Sequence, residues 1–156
     1  MRLQIIAVGQ KMPVWVDTAF DDYARRLPAQ SAVSLSLVAT ANRKPGMAVD
    51  KCRQQEAQKI ERLIKPGSYT IALDEHGRQW STLEWAQHYQ DWLLQYPQVN
   101  FIIGGPDGLA PALLKQADIT LALGRMTLPH GLARVVLVEQ LYRAWSVGEG
   151  HPYHRE

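Results

Sequence analysis

Apolar positions along this chain alternate between two periods. Leu3 to Val8 form an apolar-rich run, broken only by Gln4, that predicts a buried strand. Val16, Phe20, Tyr23 and Leu27 then fall at i, i+4, i+7 and i+11, the stripe of an amphipathic helix that Pro28 closes. Val33, Leu35 and Leu37 alternate with small polar residues, so 32–39 is a second strand, followed by the charged turn Arg43-Lys44-Pro45-Gly46. A second helix carries Val49, Cys52, Ile60 and Leu63 on its apolar side and stops at Pro66-Gly67. The strand Tyr69 to Leu73 leads into a polar loop, Asp74-Glu75-His76-Gly77. Ser81-Thr82-Leu83-Glu84 has the spacing of a capping box and opens a helix with Trp85, Tyr89 and Trp92 on one side, ended by Pro97. Val99 to Ile103 is a buried strand running into Gly104-Gly105-Pro106-Asp107-Gly108, Ala110 to Gln116 a short helix, and Ile119 to Leu123 the last strand. A final helix spans roughly Gly131 to Val147 and bears Val135, Val138, Leu141, Tyr142 and Trp145.

Alternating strands and helices let each helix cross over between parallel strands, so the expected class is a three-layer α/β sheet. The length, 156 residues, suits one domain over 1–156, with no internal repeat or linker dividing it. A composition of 46% hydrophobic and 21% charged residues excludes global disorder. No apolar stretch approaches the ~18 residues of a membrane span, and the amino end lacks a secretory apolar region. Cys52, the single cysteine, rules out an intramolecular disulfide or multi-cysteine metal site, makes a cytoplasmic address the simplest, and reads as a small core residue rather than a nucleophile.

Net charge is only +2, yet residues 1–65 carry 11 Lys and Arg against 6 Asp and Glu. That surplus offers a face for a polyanion such as RNA, or else a solvated helical surface with pairs such as Glu61 and Lys65. In an open parallel sheet, ligands collect outside the carboxyl ends of the strands, where Asp74, Gly104-Gly105 and Leu123-Gly124 all fall. The 104–108 segment lacks the G-x-G-x-x-G order of a dinucleotide loop and the Gly-Lys-Ser/Thr ending of a phosphate loop. It reads equally as a tight strand-to-helix turn or as a cofactor contact. His130, His151 and His154 lie in the last 27 residues without metal-ligand spacing, and no serine sits in a hydrolase elbow. Arg134 and Arg143 are nine residues apart, about 180° around a helix, so one can face a partner while the other faces ligand or solvent. Glu139 and Arg143 also make an ordinary i,i+4 pair. Most of the five tryptophans are expected in the core or an interface.

Several segments together carry a family resemblance. Leu73-Asp74-Glu75-His76-Gly77, Phe101 to Gly108, Met126-Thr127-Leu128-Pro129-His130, Glu139-Gln140-Leu141-Tyr142-Arg143-Ala144 and the ending His151-Pro152-Tyr153-His154-Arg155-Glu156 resemble the RlmH (YbeA-type) family. These are bacterial large-subunit ribosomal RNA pseudouridine N3-methyltransferases, and the likeness spans the whole chain. It implies a SPOUT fold with a C-terminal deep trefoil knot, S-adenosylmethionine as methyl donor without a metal, a homodimer with its sites at the interface, and a pseudouridine in the helix 69 loop of 23S rRNA on the ribosome as target. Carried over position by position, the donor contacts are Leu73, Gly104, Gly105, Leu123, Gly124, Arg125, Met126, Thr127 and Leu128. Gly124 stands where the family usually has a small hydroxyl residue, and Gly131 where it generally has a larger one. His154 is the implied proton acceptor, or alternatively a phosphate or ring contact. Tyr153 and Arg155 would orient the base, and Arg143 would reach across the dimer. Other readings are a related methyltransferase acting on a tRNA ribose and a ribosome-binding protein without catalysis; substrate comparison and donor binding separate them.

Overall fold

The computed structural model describes residues 1–9 and 11–155, leaving Gln10 and the last residue of the terminal motif, Glu156, outside the description. In chain order the elements are β1 (Arg2–Val8), α1 (Val14–Ala24), a short 3-10 turn (Ala29–Ser31), β2 (Val33–Val38), α2 (Val49–Glu61), β3 (Tyr69–Gln79), α3 (Thr82–Gln95), β4 (Gln98–Ile103), α4 (Pro111–Gln116), β5 (Ile119–Ala122) and α5 (His130–Gly148). All strand pairs are parallel, in the order β2-β1-β4-β3-β5.

Three layers follow from the two-residue period of the strands. Leu3, Ile5 and Ala7 point to one face with Ile71, Phe101 and Leu121, where they meet Phe20 of α1, Trp85, Tyr89 and Trp92 of α3, and Leu137, Val138 and Leu141 of α5. Ile6 and Val8 point to the other face with Ala72 and Ile102, against Ala57 and Ile60 of α2 and Leu113 of α4. The central strand β4 is buried along its whole length, which is why Gln98 to Ile103 reads as an almost unbroken apolar run. Where that run is polar, the groups are paired in a ladder across the sheet. Gln98 Nε2 donates to Gln4 Oε1 and Asn100 Oδ1 at 2.7 Å, and Asn100 Nδ2 donates to Ser68 Oγ at 2.8 Å.

Three expectations need correction. The polar stretch after Leu73 is not a loop, because β3 continues to Gln79 with a register shift between Leu73 and Arg78 as it follows β5. Gly77 makes that possible: a Cβ there would lie 2.5 Å from the Leu121 carbonyl carbon. The extension is mostly exposed and needs no apolar alternation, so periodicity missed it. Helix α1 ends at Ala24, and Leu27 reaches the core from the following turn. Val49 is exposed, while Glu56, which the apolar pattern did not include, is buried at 2% exposure. Cys52 is buried, and the capping box is present: Ser81 Oγ accepts from Glu84 N, and Glu84 Oε2 accepts from Ser81 N. No helix among the described residues is long and apolar enough to cross a membrane.

Candidate functional site

A cavity of about 990 Å³ opens where the strands end. Val8 and Gly9 after β1, Leu73 to His76 of β3, Ile103 to Leu109 after β4 and Leu121 to Gly124 after β5 form its walls. Met126, Thr127, Leu128, His130 and Ala133 continue one side onto α5, with Met12, Thr40 and Arg53 at other edges. The aliphatic members make slots suited to a flat apolar ring, and the loop backbone supplies polar groups beside them. Thr127 Oγ1 donates to Glu75 Oε2 at 3.4 Å, tying the β5–α5 loop to the extended part of β3.

The glycine pair after β4 is built into this geometry. A Cβ on Gly104 would sit 2.7 Å from the Gly108 carbonyl carbon, because the turn folds back on itself with Gly108 N donating to Gly105 O. A Cβ on Gly105 would meet Val8 Cγ1 at 2.9 Å and Glu56 Oε1 at 3.3 Å. Behind the turn lies an ionic latch. Glu56 accepts from Ala41 N at 2.9 Å and from Arg43 Nη1 at 3.1 Å, while Arg43 Nε and Nη2 both reach Asp107 Oδ2 at 2.8 Å. Arg53 Nε adds a bond to the Asp107 carbonyl at 2.8 Å. The carboxylates hold the Arg43 guanidinium above its ordinary pKa, Glu56 contributing most. Strand-end loop and α2 are therefore fixed to each other, and the cradle is preorganised.

Eight of the nine expected donor contacts line this one cavity; Arg125 does not. Gly124, with φ +157°, has open space where a Cβ would be, whereas a Cβ on Gly131 would meet Val16 Cγ2 at 2.9 Å, so glycine there lets α5 approach α1 closely. The four expected catalytic residues lie elsewhere: Arg143, Tyr153, His154 and Arg155 do not line the cavity of their own chain. The tail folds back along α5 instead. Tyr153 Oη donates to Glu139 Oε1 at 3.0 Å, Arg143 Nη2 donates to the same oxygen at 2.6 Å, and the Arg143 guanidinium lies 4.8 Å from the Tyr153 ring centroid. Burial and the Tyr23 and Glu139 partners push the Tyr153 phenol pKa up. His154 Nδ1 is buried without a hydrogen-bond partner among the described residues, and Arg155 is exposed.

Residue spacing alone did not single out Glu56, Arg53 or Gly9 for this site. His130 enters the sequence reading as one of three carboxyl-terminal histidines and at the end of the Met126–His130 motif, and Arg134 by its place on the helix. Of the tryptophans, Trp85 and Trp92 are core, while Trp15 is 56% exposed at the start of α1.

Comparisons with known proteins bear on family and fold. A family model described as "Predicted SPOUT methyltransferase" matches residues 1–154. Proteins named ribosomal RNA large subunit methyltransferase H from Burkholderia ambifaria and Burkholderia vietnamiensis are 46% and 45% identical over 155 residues, covering 99% of each chain. A Legionella pneumophila protein described as a methyltransferase, solved with bound SAM, superimposes with a TM-score of 0.52 at 13% identity, over 92% of this chain and 66% of that one, a likeness of fold. With full-length identity of this order on a matching parallel sheet, the chain belongs to the SPOUT methyltransferase family, in the branch of the ribosomal RNA large subunit methyltransferases H.

Proposed function

We propose that this protein, as one domain over 1–156, transfers a methyl group from S-adenosylmethionine to N3 of a pseudouridine in the helix 69 loop of 23S rRNA, in the cytoplasm and as a homodimer. The observation that carries this reading is the glycine-cradled cavity at the ends of β3, β4 and β5, which gathers Leu73, Gly104, Gly105, Leu123, Gly124, Met126, Thr127 and Leu128. Its apolar walls suit an adenine ring, and its bare glycine backbone allows close approach of a ribose and thioether. Asp74 and Glu75 place carboxylates at the rim, compatible with a sulfonium cation. The family's C-terminal knot belongs to the same proposal.

When bound, the donor supplies an already activated methyl group, so the protein's work is placement and removal of the N3 proton. His154 takes that proton, Tyr153 and Arg155 orient the base, and Arg143 contacts the RNA. Since these side chains do not line their own chain's cavity, the tail of one protomer serves the cavity of the other. Val14 and Trp15 at the start of α1, Leu132 in the first turn of α5 and Met126 at the cavity are exposed large apolar groups, consistent with an interface beside the cavity. The basic amino-terminal part offers the ribosome a complementary surface.

The test is methyl transfer from labelled S-adenosylmethionine to ribosomes from a strain lacking this gene, mapped by nuclease digestion and mass spectrometry. Label on a single helix 69 pseudouridine is expected; label on tRNA, or none with the donor bound, refutes the assignment. Mixing inactive His154→Ala protein with inactive Gly105→Val protein should restore activity if the site is shared between protomers.

A further inference from the structure

Behind one wall of the cavity lies a cationic group that the proposed reaction leaves without a task. Arg134 is 1% exposed, and its Nε and Nη2 atoms are buried without a hydrogen-bond partner among the described residues. Asp17 of α1 acts on it through space, but no ion pair joins them. A guanidinium held so deep calls for an anion. One helical turn earlier on the same face of α5, His130 lines the cavity, with its Nε2 atom likewise buried and unpartnered. Gly9 of the cavity wall lies against both: a Cβ there would fall 3.4 Å from Arg134 Nη2 and 3.7 Å from His130 Cε1. Burial, with Arg134 adding to it, pushes the His130 pKa down to about 4, while a hydrogen bond to the Gly104 backbone works the other way. The ring is therefore neutral near pH 7 and its free nitrogen can accept a hydrogen bond.

We propose that Arg134 and His130 form the subsite for the amino-acid end of the methyl donor, Arg134 pairing with its carboxylate and His130 Nε2 accepting from its ammonium group. The proposal rests on reading the cavity as the donor site. Charge selects this ligand group over the target base: the base is neutral before it reacts, and RNA phosphates stay on a polymer too wide to reach a fully buried guanidinium. The donor's one carboxylate sits on a slender, flexible arm. The chemistry of the pair also matches a zwitterion, with donors only on Arg134 and a lone pair on His130. A cationic imidazole would repel the ammonium, and the setting of His130 disfavours that form.

The test is calorimetric titration of the full-length protein with three ligands: S-adenosylhomocysteine, its decarboxylated analogue, which keeps the amine, and 5′-methylthioadenosine, which lacks the amino-acid end. The wild-type protein should bind S-adenosylhomocysteine about tenfold or more tighter than the decarboxylated analogue, the worth of one charge-assisted hydrogen bond. Arg134→Gln should abolish that preference while leaving 5′-methylthioadenosine affinity within about twofold, the latter also showing that the cavity is intact. His130→Phe should weaken both amine-bearing ligands and spare 5′-methylthioadenosine. No carboxylate preference in the wild-type protein overturns the proposal, as does an Arg134→Gln variant that loses all three ligands equally or keeps the preference. Should Arg134→Gln fail to fold, the wild-type ligand comparison and His130→Phe still decide. Failure of the wild-type protein to bind any of the three would instead sink the donor-site reading itself.

Discussion

Removing the Glu56 carboxylate should loosen the Gly104–Gly108 turn at the cavity wall, and the structure sets how much. The side chain is 3% exposed and accepts from Ala41 N at 2.9 Å and from Arg43 at 3.1 and 3.4 Å. Breaking a fully buried ion pair costs about 3–5 kcal/mol because the surviving charge is stranded. Here Arg43 is 29% exposed and keeps Asp107 and the Ala41 carbonyl, so Glu56→Ala belongs at the lower end, about 3 kcal/mol. Glu56→Gln keeps the volume and an acceptor for Ala41 N, and should cost about 2 kcal/mol, chiefly the charge-assisted part of the Arg43 contact. Urea unfolding at fixed protein concentration measures both, and a cycle with Arg43→Met isolates the pair, with a coupling of about 1–3 kcal/mol expected. S-adenosylhomocysteine affinity should fall in parallel, since Arg43, which holds Asp107, then loses its anchor on α2. A Glu56→Ala loss below about 1 kcal/mol, or additive single mutants, would show that the latch contributes little and that the glycine turn holds its own shape.

Three further outcomes are expected. Because His130 has a folded pKa of about 4 against an ordinary 6.5, the unfolded chain binds the proton first as pH falls. Stability should therefore drop between pH 6.5 and 4, by about 1–2 kcal/mol once solvent screening at the open cavity is allowed for, and level off below, a slope that His130→Phe should flatten in pH-dependent denaturation. Gly77→Ala would press a methyl group onto the β5 backbone, 2.5–2.7 Å from three Leu121 atoms, and should cost about 2–3 kcal/mol in thermal unfolding; an unchanged midpoint would deny the close β3–β5 approach. Ser81→Ala removes one half of the α3 capping box and should cost about 1 kcal/mol, with Ser81→Thr largely restoring it.

Particular residues show why the helices and most strand positions were legible. Trp85, Tyr89 and Trp92 recur at the period of a helix and Leu3, Ile5 and Ala7 at that of a strand, and a buried face enforces those periods wherever it packs. Asp74 to Gln79 escaped the same test because an exposed edge extension imposes no alternation. Glu56 escaped it because a buried carboxylate breaks the apolar pattern and becomes tolerable only through Arg43 and Ala41. The expected donor contacts converged because strand ends of a parallel sheet share one edge, a consequence of fold class rather than of any single motif.

By itself the sequence determined the alternation of strands and helices, the three layers, the cap on α3 and the glycines that later prove to have no room for a side chain. Local period, propensity and turn chemistry are encoded in neighbours a few positions apart, so they survive without knowledge of partners. Tertiary structure decided the rest: Arg43 meeting Asp107 64 positions away, Arg134 buried behind Gly9, and the tail lying along α5 with its Tyr153 on Glu139. A periodic pattern specifies which face of an element is buried but not what it is buried against. Charged groups set in a core acquire their chemistry from that second, non-local choice.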